Sequence, residues 1–189
     1  MGDHSPPNRR QQTDQTRFSA EESMANKMYI EDRYPCSAQT LYELLASEKF
    51  DNELMAAVNI GKETLEYKET EQGAKLRVRL RPDTALPGFM KKIVGNRNEY
   101  EEVREWDKSK LGNHWTIDPS FPIGKIDIQG TLTIKDSGDH QCTRVVEGTF
   151  SVGIPLVGGK IEKFIIGQTE DSFKKSTAWT IDYIKKNKL

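Results

Sequence analysis

Cysteine is scarce in this chain. Two in 189 residues are too few for a disulfide scaffold, so the fold must stand on a hydrophobic core, and a reducing compartment is expected. Long hydrophobic runs are missing as well: nothing approaches the ~18 consecutive apolar residues of a membrane-spanning helix. The opening residues, MGDHSPPNRRQQTDQTRF, hold no apolar segment of the kind a secretory signal needs. They match N-myristoylation poorly, since Asp3 follows Gly2 and Pro6 stands where a hydroxyl residue is wanted. A cytoplasmic protein is expected. There is no basic excess either: 28 Lys plus Arg stand against 29 Asp plus Glu, a formal net charge of -1. That argues against a nucleic-acid partner. Catalytic signatures are absent too, with no G-x-S-x-G, no H-E-x-x-H and no phosphate loop.

What is present divides the chain in two. Residues 1–26 contain no Leu, Ile, Val, Trp or Tyr. Such a segment cannot bury enough apolar surface to offset its ordering entropy, so a disordered N-terminal tail is expected. Residues 27–189 show no repeat and no second linker, and form one domain.

Within that domain the hydrophobic period changes several times. A first strand is expected over 27–36. Ser37 then stands as an N-cap before AQTLYELLA, with Ala38, Leu41, Tyr42 and Leu45 at helical spacing. Asp51 reads as the N-cap of a second short helix over 52–58. Beyond Gly61 the period drops to two. Leu65 and Tyr67 alternate with charge, and Leu76, Val78 and Leu80 alternate with Arg77, Arg79 and Arg81. Pro82 opens a long connection to residue 98. Four more strands follow: EYEEVREW, NHWTID, KIDIQGTLTI and CTRVVEGTFSVGIP. Gly158–Gly159 make a sharp turn into a C-terminal helix over 159–187. The order is β–α–α–β–β–loop–β–β–β–β–α. A seven-stranded antiparallel sheet with one long helix to cover it is an α+β layer arrangement, and a twisted sheet curled round one helix leaves a gap between them.

This order resembles the helix-grip fold of the START-like superfamily, also called SRPBCC, to which the birch-pollen allergen belongs. The resemblance spans residues 27–187. It rests on the element order, on YPCSAQTLYELL at the first strand-to-helix junction, and on SVGIPLVGGKIEKFI entering the last helix. The second string is similar to an uncharacterised bacterial branch of START-like proteins, a domain of unknown function. The resemblance implies a curved seven-stranded sheet wrapped around the C-terminal helix, with a cavity between them for a lipid or other apolar molecule. It also implies that the first and last strands pair, which brings Cys36 and Cys142 together as a reduced pair. His140 is near them, but a zinc site wants four ligands and a fourth is missing. No metal and no cofactor is implied.

Apolar faces turned inward place Val78, Leu80, Trp115, Ile117, Ile128, Leu132, Phe150 and Val152 on the cavity wall. The last helix adds Ile161, Ile165, Gln168 and Ser172. Branched aliphatics and aromatics with a few polar groups are what a small-molecule site requires, although any one of these residues taken alone fits a filled core better. In ALPGFMKKIVGN, Phe89, Met90, Ile93 and Val94 share one face of a short helix, while Lys91 and Lys92 share the other. This is the pattern of a lid over a cavity mouth, and residues 86–95 also suit transient contact with an anionic membrane surface. The loop PSFPIG, with Phe121, sits at the same mouth. EYEEVREW offers two orientations. With Tyr100 and Trp106 inward, Tyr100 and Arg104 face the ligand and Glu102 pairs with Arg104. With the charges outward, the strand lies at the wet end of the sheet, which is the arrangement expected. His114 beside Asp118 makes no triad and is expected to face solvent.

Three functions fit. The leading one is a monomeric, non-enzymatic carrier or sensor for a lipid or other hydrophobic small molecule. The alternatives are a cavity enzyme of the aromatase/cyclase type, acting through Glu102, Arg104 or His114, and a protein-interaction module without a ligand.

Overall fold

Alternating strands and helices with one apolar stripe build an α+β fold, described over residues 25–119 and 124–189 of a computed structural model. The elements are β1 (Asn26–Tyr34), α1 (Ala38–Ala46), α2 (Glu48–Ala57), β2 (Ile60–Thr70), β3 (Gly73–Pro82), α3 (Gly88–Val94), β4 (Tyr100–Asp107), β5 (Gly112–Pro119), β6 (Lys125–Gly138), β7 (Gln141–Gly153) and α4 (Gly158–Asn187). One curved sheet holds all seven strands in the order β1-β7-β6-β5-β4-β3-β2. Every pairing is antiparallel. The sheet grips α4, which packs on β7, β1 and α2. Among the described residues no helix is long and apolar enough to cross a membrane. Most of the tail, residues 1–24, lies outside the described residues, and β1 begins at Asn26.

Local chemistry explains the boundaries. Ser37 caps α1, its hydroxyl accepting from the Thr40 N–H at 3.1 Å. Asp136 on β6 accepts from the Ala38 N–H at 2.8 Å, so two of the four orphan donors of that helix end are met. The cap of α2 corrects the sequence reading. Ser47, not Asp51, receives a backbone N–H, that of Phe50 at 3.4 Å, and the helix starts at Glu48. Asp51 is drawn inward instead. β2 carries a bulge between Thr64 and Glu66, which leaves Leu65 exposed and breaks the expected alternation there. Gly158 is required where β7 turns into α4: a Cβ there would stand 2.0 Å from the Val152 carbonyl oxygen.

The inner face of the sheet has a row that matters for the site. Met28, Gly148, Gly130, Trp115, Arg104 and Leu76 are successive partners across six strands. A Cβ on Gly130 would meet Trp115 Cζ2 at 2.4 Å, and one on Gly148 would meet Trp115 Cη2 at 2.8 Å. The indole therefore lies flat over two glycines, against Phe150, instead of standing up into the space below α4. Cys36 and Cys142 are both buried and free. Contact with Cys36 and burial push the Cys142 thiol well above its usual range.

Candidate functional site

Between the sheet and α4 lies a cavity of about 240 Å³. Its apolar wall includes Leu54, Leu80, Ile117, Ile128, Leu132 and Ile165. Its mouth is rimmed by Thr84, Leu86, Met90, Val94, Arg97 and Asn98, all between β3 and β4.

One wall is polar, and β4 supplies it. Tyr100, Glu102, Arg104 and Trp106 all line the cavity, so Glu102 and Arg104 face inward, while Glu101 and Glu105 pair with Arg77, Arg79 and Lys75 outside. The outward arrangement expected from the sequence is wrong. The reason is a partner more than fifty residues away in the chain. Arg104 donates through Nη1 to Asp51 Oδ1 at 2.6 Å and through Nε to Glu102 Oε1 at 2.6 Å. Lys62 on β2 closes the set, its Nζ lying 2.5 Å from Asp51 Oδ2. Two cations and two anions share this site, so each buried charge is compensated. Burial alone would raise the Asp51 carboxyl, but the Arg104 and Lys62 charges outweigh it and hold the group below its usual range. Burial works against the Arg104 charge, yet Asp51 and Glu102 hold the guanidinium firmly protonated. Burial, then the Glu102 charge, keeps the Tyr100 phenol protonated far above its ordinary range.

A second buried cation closes the far end. Arg144, only 2% exposed, donates to Asp32 Oδ2 at 2.6 Å and Thr177 Oγ1 at 2.9 Å. It lies between the rings of Tyr34 and Phe173, 5.2 Å and 4.8 Å from their centroids. Trp106 Nε1, Trp115 Nε1, Asn113 Oδ1 and Arg144 Nε are buried without a hydrogen-bond partner, and all four residues line the cavity.

The helix α3 sits across the mouth. Met90 is buried, and together with Leu86, Val152 and Ile161 it forms an apolar cluster separate from the main core. Phe89 packs edge-on against Phe164 of α4, with centroids 6.5 Å apart. Lys91 and Lys92 point to solvent.

A family profile described as "Protein of unknown function (DUF2505)" matches residues 30–184. The chain belongs to the DUF2505 family. A comparison with curated proteins finds no match. Solved structures give the fold of this DUF2505 chain. TTHA0849 from Thermus thermophilus is similar at 20% identity and a TM-score of 0.57, over 84% of this chain and 95% of that one. A START superfamily protein from Mycobacterium smegmatis is similar at 12% identity and a TM-score of 0.57, over 84% and 98%. The Zhui aromatase/cyclase from Streptomyces sp. R1128 is similar at 14% identity and a TM-score of 0.55, over 84% and 90%. The fold is START-like, as the element order implied.

The residues that the sequence assigned to the ligand divide into three groups in this DUF2505 domain. Leu80, Met90, Tyr100, Arg104, Trp115, Ile117, Ile128, Leu132, Ile165, Gln168 and Ser172 line the cavity. Val78, Phe150, Val152 and Ile161 do not; each is at most 1% exposed, and neighbouring side chains fill the space before them. Phe89 and Ile93 also lie off the cavity: they pack on the cluster of Leu86, Met90, Val152 and Ile161, and Phe89 meets Phe164 of α4. Phe121 and the loop around it lie outside the described residues. His114 is exposed, as expected. Sequence reasoning missed Asp51, Asn113 and Arg144. Asp51 was hidden by its resemblance to a cap. For Arg144 a signal existed: in CTRVVEGTF it shares the period-two face of Val146 and Phe150.

Proposed function

We propose that the protein binds a hydrophobic small molecule or lipid between the sheet and α4, and carries or senses it as a cytoplasmic monomer. The observation that carries this reading is an apolar cavity with a charge-compensated polar cluster built into one wall. Apolar lining supplies affinity at ~25 cal/mol per Å² before ordering costs, and a few fixed polar groups supply orientation. At about 240 Å³ the space is below the ~300–1,000 Å³ usual for drug-sized ligands. The ligand is therefore compact, or its tail leaves under α3. The rim suits docking on an anionic membrane. Lys91 and Lys92 are exposed on residues 86–95, and Leu156, 99% exposed, stands on the adjoining β7–α4 turn.

A second reading rests on the same cluster, since an inward Glu102 and Arg104 are what a cavity enzyme needs. Arg104, however, is bound on two sides by carboxylates, which suits fixed binding better than proton transfer. An unfilled cavity also weighs against a module that only contacts other proteins.

Titration with the neutral dye N-phenylnaphthylamine tests the binding reading. One saturable site is expected, and Ser172→Trp, which fills the cavity from α4, is expected to abolish it while the circular dichroism spectrum is kept. Dye binding that survives Ser172→Trp contradicts the assignment.

A further inference from the structure

The cavity wall carries more than apolar surface. Trp106 and Trp115 are each 7% exposed and Arg144 is 2% exposed. Each has an N–H donor buried without an acceptor in the protein. A buried donor left unpaired is destabilising, and native proteins leave few such groups unmet. Here three occur on residues that line one cavity. Arg104, two residues before Trp106 on β4, binds its two carboxylates through Nη1 and Nε, which leaves Nη2 without a partner among the described residues. Against these donors stands one buried acceptor, Asn113 Oδ1, since Asp51 Oδ2 already has Lys62 at 2.5 Å; the unmet capacity is mainly donor capacity, so what enters must bring acceptors.

Charge narrows the class further. Asp51 and Glu102 balance Lys62 and Arg104, and Asp32 balances Arg144. Lys62, Arg104 and Arg144, the buried cations at and behind the wall, each have a carboxylate within 2.6 Å; the remaining cation of the lining, Arg97, is exposed at the mouth. An ionised ligand would bring in one more negative charge with no buried cation left to receive it, and an unpaired buried charge is far costlier than an unpaired dipole.

We infer that the ligand is an uncharged hydrophobe whose polar end accepts hydrogen bonds, a ketone or related carbonyl compound, and not an ionised fatty acid. This rests on the reading that the cavity binds a hydrophobic molecule. The carbonyl oxygen is received by donors among Trp106, Trp115 and Arg144, and the apolar portion extends toward α3.

The test is competition for N-phenylnaphthylamine at neutral pH by three molecules of matched carbon count: methyl octyl ketone, decanoate and decane. A net hydrogen bond of about 1 kcal/mol or slightly more makes the ketone displace the dye at about tenfold lower concentration than decane, with decanoate weaker than the ketone. Decanoate equal to or better than the ketone overturns the proposal. Trp106→Phe and Trp115→Phe each keep a ring and remove the N–H. At least one is expected to erase the ketone's advantage over decane while leaving decane binding in place. An advantage unchanged in both variants also overturns the proposal. Absence of any saturable dye site overturns the binding reading, and this inference with it. Dye binding with decanoate preferred overturns this inference alone.

Discussion

Asp51 shows how one residue sets the character of the site. It is 3% exposed and receives Arg104 and Lys62. Without it, Arg104 keeps only Glu102, and a guanidinium would stand partly uncompensated in the core. Breaking a buried pair of this kind costs about 3–5 kcal/mol, so Asp51→Asn is expected to lower unfolding stability by that order at neutral pH. The pH dependence follows from the sign of the shift. The folded carboxyl is held below its usual range, so its stabilising contribution is complete above the unfolded value and is lost as pH falls through the folded one. Denaturant titrations across the acid range should show a shallower loss of stability in Asp51→Asn than in the wild type. An identical acid slope would mean that the ion cluster contributes nothing. The sequence concealed this role because an acidic residue near a helix start is read locally, and its partner Arg104 is distant in the chain.

Elements differ in how far their own residues determine them. β3 was legible because Leu76, Val78 and Leu80 alternate with arginines, and those arginines meet Glu63, Glu99 and Glu101 on the outer face. β4 was legible as a strand but not in its orientation. Both of its faces carry charge, so periodicity says which residues share a side and not which side is wet. α3 was legible as an amphipathic turn, yet Phe89 and Met90 part company: Met90 reaches the cavity rim and Phe89 packs on Phe164. A lid held by a small apolar cluster should open when that cluster is charged. Leu86→Asp with Met90→Asp is expected to remove dye loading and leave the main core folded. In flotation with phosphatidylglycerol vesicles, Lys91→Glu with Lys92→Glu is expected to lower the bound fraction and leave loading intact. Loading unchanged in the first variant, or flotation unchanged in the second, would remove that role from α3.

At the scale of the whole molecule, the order of strands and helices was enough to expect a sheet gripping one long helix, because a seven-stranded sheet needs a cover and only one helix is long enough. Whether the grip encloses open space was not legible. That depends on Trp115 lying over Gly130 and Gly148, an arrangement made by three residues on three different strands. Pattern within a strand cannot report it, since glycine interrupts alternation without saying what fills the gap. The central claim is that this space holds a hydrophobic molecule. Native mass spectrometry of the protein purified from its own host, followed by organic extraction, tests it most directly. The account predicts a mass excess that matches one molecule per chain and reappears as a neutral, oxygen-bearing hydrophobe in the extract. A chain at its bare mass that also takes up no dye would contradict it.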